Sequence, residues 1–211
     1  MRKACFMVIT TAAITLLSCK SREVKVKDGQ ISPSDAQAVA ETMSKEVEKS
    51  NDRWGERRAK GDTLAMPYKE LQAFLPDITG YTKSGGPKGN QMNMPGMGSW
   101  SQAEQQYENG DKRMSVKIVD YNASYAAFSG VTALYKMGFS SEDDSKKQGS
   151  VDLGIKNVAA YETVYKQEPN AQIAMIVADR FFVEIESNGS NDMGLVTGIA
   201  KSIAGSGLAG K

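Results

Sequence analysis

The most informative absence in this sequence is histidine, which occurs at none of its 211 positions. Catalytic triads and Cys–His pairs need a histidine base, so these nucleophile systems are excluded. Histidine metal sites and imidazole pH switches are excluded for the same reason. The hydrolase motifs Ser-x-x-Lys, GxSxG and HExxH are also missing. An enzyme built on this sequence would have to use Asp, Glu, Ser, Tyr or Lys side chains.

Cysteine and an excess of one charge are scarce as well. Only Cys5 and Cys19 are present, and 26 basic residues stand against 25 acidic ones. Nucleic-acid-binding domains usually carry a basic patch, so we expect no nucleic-acid partner. Gly205 to Gly210 matches GxGxxG in form, but a phosphate loop needs a strand before it and a helix after it. We therefore expect no nucleotide partner either.

The N-terminal residues have the pattern of a secretory signal peptide. Residues 1–3 are positively charged by Arg and Lys, and residues 4–17 are mostly apolar. A membrane-spanning helix needs about 20 apolar residues, so this run is too short to span. Its end, Leu16-Leu17-Ser18-Cys19, resembles the bacterial lipobox, Leu-x-[Ala/Ser/Gly]-Cys. The resemblance implies cleavage between Ser18 and Cys19 and lipid attachment to Cys19, as diacylglycerol plus an N-acyl chain such as palmitate.

A lipidated Cys19 would make this chain a lipoprotein of the bacterial cell envelope. Two or more acyl chains anchor a protein stably to a membrane, whereas one gives marginal binding. The alternative is a plain secretory signal that happens to end in cysteine. Lys20 stands where an aspartate resembles the inner-membrane retention signal of enteric bacteria, so outer-membrane delivery is favoured. Residues 20–23 lack an acidic surface-export cluster, which favours a periplasm-facing position.

The pattern predicts four regions. Residues 1–18 are the signal peptide, and residues 19–31 are a polar, lipid-anchored tether. Residues 32–61 form an amphipathic helix with Ser32 as its N-cap and an apolar stripe at helical spacing. We expect this helix to pack on the domain or to space it from the membrane, with a coiled-coil partner as the alternative. Residues 62–211 form the domain.

The domain is predicted to be α+β, with an antiparallel sheet of about five strands and helices packed on one face. Asn109-Gly110-Asp111 is a strong hairpin signal between two strands. Residues 84–99 are predicted to be a loop and residues 140–152 a polar, mobile segment. The predicted strands are Trp100–Glu108, Lys112–Asp120, Val158–Tyr165, Ala171–Ala178 and Phe181–Ser187, and the predicted helices are 67–75, 124–137 and 193–209.

The body of the chain carries a second resemblance. Its segments Leu75–Tyr81, Val116–Asp120 and Asp179–Ile185 follow one another in order, with Ala103 and Tyr107 between the first two. This order resembles an uncharacterised group of small bacterial envelope proteins over roughly residues 67–209. The shared positions are turn and core residues, so the resemblance implies no activity and no site.

Two sets of side chains are candidates for chemistry. Glu184 and Glu186 share one face of a predicted strand about 6–7 Å apart, a spacing that suits acid/base glycoside chemistry. The alternative is that both glutamates simply face water. Met92, Met94 and Met97 lie beside Trp100, and thioethers are soft ligands that suit Cu(I). The alternative there is a flexible loop whose methionines pack loosely or touch a membrane or a partner.

These observations favour a non-catalytic binding or structural protein of the envelope. Its expected partners are the membrane, through Cys19, and a protein partner or an apolar ligand, and no catalytic residue and no cofactor are assigned. Two alternatives remain open: an envelope enzyme without histidine, and a copper-binding protein that uses the methionine loop. A deep pocket that holds a carboxylate of raised pKa would favour the enzyme. A continuous apolar patch or a lined cavity would favour binding.

Overall fold

The structure is a computed structural model that describes residues 33–94, 98–122, 135–136 and 138–211. The predicted signal peptide, the lipid attachment site Cys19 and the tether lie outside the described residues. Met97 and most of the predicted helix 124–137 lie outside them too. No helix within the described residues combines the length and the hydropathy needed to cross a membrane.

The domain is built on an open, nine-stranded sheet in which all the paired strands are antiparallel. The α+β class and the antiparallel sheet are therefore confirmed. The strands are β1 Thr82–Lys83, β2 Lys88–Met94, β3 Gly98–Asn109, β4 Lys112–Asp120, β5 Ser140–Glu142, β6 Lys146–Val151, β7 Val158–Tyr165, β8 Asn170–Val177 and β9 Phe181–Asn188.

The strand order is β1-β3-β4-β9-β8-β7-β6-β5, with β2 also paired to β3. Strands β2–β4 form one meander, with β1 also paired to β3, and β5–β9 form a second. The two meanders are joined where β4 pairs with β9, with Asp120 opposite Phe181. The helices of the described residues are α1 Pro33–Ala59, α2 Tyr68–Gln72 and α3 Met193–Gly205, followed by a 3₁₀ turn at Leu208–Gly210.

One face of the sheet, the core face, packs against α2 and α3. Alternate residues of the central strands point to it, because side chains alternate across a strand. Val116, Met175 and Val183 are among those that are fully buried there. Asp192 caps the N-terminus of α3, since its carboxylate accepts a bond from Leu195 N at 3.0 Å, and the helix buries Val196 in the same core. The prediction that the C-terminal helix packs on the core is confirmed.

The opposite face, the outer face, carries other helical residues. Trp54 of α1 and Tyr135 pack there against Ile176 and Phe182. Helical residues therefore occupy both faces, whereas we predicted the domain's helices on one face. Tyr135 belongs to the predicted helix 124–137, so the prediction is wrong for that residue and confirmed for α2 and α3.

The sheet is larger than predicted, because it includes the short strand β1 and strands in two segments expected to lack regular structure. β2 lies in the predicted loop 84–99, and β5 and β6 lie in the predicted mobile segment 140–152. Both segments are rich in Gly, Ser, Asn, Gln and Lys, which have low intrinsic strand preference. They become strands through their partners, since β2 pairs along its whole length with β3.

Candidate functional site

A band of polar side chains crosses the outer face of the sheet. Residues directly opposite each other in a ladder share a face, and Lys117 lies opposite both Glu104 and Glu184. Glu186 follows two positions after Glu184 and lies opposite Gln172. We call these five residues the polar band.

The two candidate glutamates of the polar band have different environments. The Glu184 carboxylate accepts from Lys117 Nζ at 2.5 Å and from Gln172 Nε2 at 2.9 Å, so both of its oxygens are engaged. The Glu186 carboxylate accepts a longer bond from the same Gln172 Nε2, at 3.4 Å. Burial alone would lower the pKa of Lys117, but the hydrogen bond and the charge of Glu184 outweigh it and raise that pKa. Glu184 and Lys117 therefore form a stable ion pair.

The environment of Glu186 alters its proton affinity. Burial, followed by the charge of Glu184, raises the pKa of Glu186, and Lys117 offsets this only in part. Glu186 borders a polar cleft of about 220 Å³ that Glu168 and Ser187 also line. Glu184 does not line this cleft and is engaged by Lys117 and Gln172, so the two carboxylates do not face one common cavity. The side chains of the pair do share a face, as the spacing predicted.

We expect Glu186→Gln to stabilise the protein at neutral pH. The folded-state pKa of Glu186 lies above the unfolded value, so the folded state binds the extra proton and stability falls as pH rises through the folded pKa. Above the folded-state pKa, Glu186→Gln removes the destabilisation that the ionised carboxylate causes. At pH values where Glu186 is protonated in both the folded and the unfolded state, the substitution brings no gain in stability. Urea unfolding at neutral and acidic pH measures this. Glu184→Gln is the control, and it should lower the urea midpoint at neutral pH because Lys117 loses its partner; equal effects of the two variants would contradict the assignment.

Beyond the polar band, the outer face is aromatic. Trp54, Tyr121, Tyr135 and Phe182 pack around Ile176. Tyr135 also stacks on Tyr161, with ring centroids 5.4 Å apart. Burial is the main cause that raises the pKa of both tyrosines, so they stay neutral at physiological pH. We call the residues around Ile176 the aromatic cluster, and it makes the outer face amphiphilic.

Of the methionine candidates, Met92 lies on the same face as the polar band, at the edge of the sheet. Met92 is 46% exposed and lies opposite Trp100 in the β2–β3 ladder. Met94 follows two positions later on β2, so its Cα has the same parity as Met92. The side chain of Met94 and all of Met97 lie outside the described residues, and the Cu(I) hypothesis stays a prediction. No group of three His, Cys, Asp or Glu side chains suited to a metal ion occurs within the described part of the chain.

The structure reveals a buried charged network that the sequence analysis missed. Asp120, Asp179 and Arg180 are almost fully buried at the ends of β4, β8 and β9. Asp179 accepts from Ser50 Oγ at 3.1 Å and is paired with Arg53 and Lys136. These contacts bind the C-terminal half of α1 to the sheet.

Arg57 extends this network from the next turn of α1. Its guanidinium donates to Asn122 Oδ1 at 2.9 Å and to the backbone oxygens of Ala178 and Asp179 at 3.3 and 3.1 Å. Burial, followed by the neighbouring charge of Arg180, lowers the pKa of Arg57. The donors of Arg57 are thus committed to holding the helix. The network is a docking device for α1 and presents no open catalytic group.

A groove lies beside α3, on the other side of the molecule. It has a volume of about 310 Å³ and runs between residues 76–79 and the exposed side of the helix. Ile78, Leu195 and Ile199 give it apolar walls, and Gly194 and Gly198 leave it open. Its volume is at the lower limit of small-molecule sites. It suits a short apolar group better than a large polar substrate.

Comparison of the chain with protein-family models, with curated proteins and with solved structures gives no match.

Proposed function

We propose that this chain is a lipid-anchored protein of the bacterial cell envelope with a non-catalytic binding or structural role. Lipid on Cys19 holds it at the membrane, with the outer membrane and a periplasm-facing position favoured. The sheet domain binds a protein partner or an apolar ligand. The observation that carries the proposal is the sequence Leu16-Leu17-Ser18-Cys19, which resembles the lipobox.

The position of α1 supports an anchored arrangement. α1 begins at Pro33, shortly after the tether, and its 27 residues correspond to about 40 Å of helix. Its C-terminal half is held on the sheet by Ser50, Arg53 and Arg57. Gln37, Glu41 and other residues of its N-terminal half are exposed. A helix fixed at one end and exposed at the other can hold the domain away from a bilayer.

The chemistry of the described surfaces supports binding over catalysis. Glu184 of the polar band is committed to its neighbours, since Lys117 and Gln172 occupy both of its oxygens. The α3 groove, in contrast, combines the apolar side chains of Ile78, Leu195 and Ile199 with a few polar ones, and Asp77 is the titratable group among its lining residues. Apolar walls with few polar groups are typical of ligand sites.

Lipid attachment is tested by metabolic labelling with an alkyne fatty acid in a bacterial host. We expect the wild-type chain and Cys5→Ala to incorporate the label and to sediment with membranes, because Cys5 leaves with the signal peptide. Cys19→Ala should lose both properties. Label that survives Cys19→Ala would overturn the anchor, and wild-type protein in the inner-membrane fraction of a sucrose gradient would contradict outer-membrane delivery.

The binding role is tested by native mass spectrometry of the purified chain. We expect an extra mass that matches a lipid or another apolar metabolite. A Cβ atom at Gly198 would meet nothing within 4 Å, and the same holds for Gly55 on exposed α1. Gly198→Leu should therefore fill the groove and remove the extra mass, while Gly55→Leu should retain it. A mass that both variants retain would exclude the groove, and a bare protein mass would leave a protein partner as the ligand.

A further inference from the structure

β2 is an edge strand of the sheet. It pairs with β3 from Lys88–Glu104 to Met94–Gly98. Among the residues that the structure describes, no other strand pairs with it. An edge strand with unpaired N–H and C=O groups is a template for another strand.

The backbone parity identifies the groups that point outward. Ser84 N donates to Gln106 O at 2.8 Å, so the backbone groups of Gln106 point toward β1 and β2. Every second residue of β3, counted from Gln106, points its backbone groups in the same direction. Gln102 is one of these residues, so its partner Asn90 uses its backbone N–H and C=O groups to pair with β3. The alternate β2 residues Gly89, Gln91 and Asn93 direct their N–H and C=O groups away from the sheet.

β2 lacks the features that usually protect an edge. Lys88 is the one charged residue of its sequence KGNQMNM, and the strand contains no proline. The opposite edge of the sheet is protected, because β5 has only three residues, one of them Glu142, and β6 begins with two lysines. Short and charged edge strands resist pairing with other chains. The contrast marks β2 as the edge that is available.

β2 is also held in a strand conformation before any partner binds. α2 packs on its core-facing side, where a Cβ atom at Gly89 would lie 2.5 Å from the Tyr68 ring. Gln72 Nε2 donates to Pro87 O at 3.1 Å, immediately before β2. A strand that is already ordered loses less entropy on binding.

We propose that β2 pairs with β2 of a second copy of this chain, antiparallel about a two-fold axis at Gln91. In this register Gln91 meets its own copy, and Gly89 meets Asn93 of the other copy. All three are outward-pointing residues, so the ladder gains about six backbone hydrogen bonds. The two nine-stranded sheets become one continuous sheet.

The sequence of β2 favours a second copy over an unrelated strand. Its residues match each other in this register, with amide opposite amide at the axis and Gly89 opposite a small polar residue. The two Lys88 residues lie at opposite ends, about 20 Å apart by strand rise, so they do not repel at contact distance. A closed, two-fold pair is the commonest symmetry of soluble oligomers. The pairing does not depend on the proposed lipid anchor, which would only raise the local concentration of the chain.

Sedimentation equilibrium of the full chain, in density-matched detergent over a range of protein concentrations, tests this pairing. We expect a monomer–dimer equilibrium for the wild type. Gln91→Pro removes an outward N–H group and leaves the β3 ladder intact, as proline is tolerated on the free side of an edge strand. It should raise the dimer dissociation constant at least about tenfold.

Glu142→Pro on β5 is the matched control. Asp143 N donates to Lys146 O and Ser150 N to Phe139 O, so the N–H of Glu142 also points away from the sheet. Its dissociation constant should stay within about twofold of the wild-type value. Gln91→Lys places two positive charges at the axis and should weaken the dimer in the same way as Gln91→Pro. This second variant keeps the test valid if proline disturbs the hairpin.

Three results would overturn the proposal. The first is a wild-type chain that stays monomeric at all concentrations. A monomer whose β2 amides are protected by another segment or by another protein counts as the same result. The second is a dimer that both Gln91 variants leave unchanged. The third is a dimer that Glu142→Pro weakens as much as Gln91→Pro does. Hydrogen exchange should agree with the expected result, with protection of Gly89, Gln91 and Asn93 that disappears on dilution.

Discussion

Replacement of Arg180 by methionine is expected to lower the free energy of unfolding by about 3–5 kcal/mol, the usual cost of removing one partner of a buried ion pair. Arg180 is 6% exposed and its partner Asp120 is fully buried. The guanidinium donates to Asp120 Oδ2 at 3.0 and 2.8 Å and to Asp62 at 2.8 Å. Without it, a buried carboxylate loses its salt-bridge partner and keeps the backbone N–H donors of Met66 and Asn122.

Urea unfolding of the full chain measures this cost. Arg113→Met is the matched control, because Arg113 lies on β4 in an exposed pair with Glu108 and should cost no more than about 1 kcal/mol. The double variant Asp120→Asn with Arg180→Met should cost less than the sum of the two single changes, since neither charge is then left alone. Equal costs for Arg180→Met and Arg113→Met would contradict a buried, paired Arg180.

Asp179→Asn is expected to release the C-terminal half of α1 from the sheet. Asp179 has a backbone φ of 51°, which asparagine tolerates, so the substitution keeps the turn and removes the charge. Arg53 and Lys136 lose their shared carboxylate. Charged hydrogen bonds of this kind contribute about 1.5–3 kcal/mol, so we expect a loss in that range.

Hydrogen exchange of α1 distinguishes undocking from general unfolding. Amides of residues 50–59 should exchange faster in Asp179→Asn, while those of β8 and β9 should keep their protection. Glu46→Gln is the control, because Glu46 lies 3.6 Å from Lys136 and is not bonded to the sheet. Faster exchange in Glu46→Gln, or unchanged exchange in Asp179→Asn, would show that Asp179 does not hold the helix.

Local signals in the sequence predicted the elements that depend on near neighbours. The Asn109-Gly110-Asp111 signal correctly placed the β3–β4 hairpin, in which Asn109 pairs with Lys112 and Gly110 has a φ of 58°. The alternation from Met114 to Ile118 correctly gave one buried side of β4. The apolar stripe and Gly61 predicted the C-terminal end of α1 to within two residues, since the helix ends at Ala59. These features need no knowledge of distant partners.

Features that depend on distant partners were not predictable in the same way. β2 is polar, and only its ladder with β3 makes it a strand. Asp120 and Arg180 are charged residues at strand ends, a position that usually means solvent. Their burial follows from the pairing of β4 with β9, which no local pattern encodes. The one available signal was that each charge directly adjoins a long apolar strand.

The division of the sheet into two meanders has a consequence for how the chain folds. Neighbouring strands within each meander are joined by short connections, whereas β4 ends at Asp120 and β9 begins at Phe181. Closing the loop of residues 121–180 costs about 4 kcal/mol of chain entropy, because this cost grows with the logarithm of loop length. The β4–β9 ladder is therefore expected to form last. A slip of one residue along it would exchange the two faces of half the sheet. It would also separate Asp120 from Arg180 and leave buried charges without their partners. The ion pair therefore disfavours the wrong register while β4 and β9 are pairing.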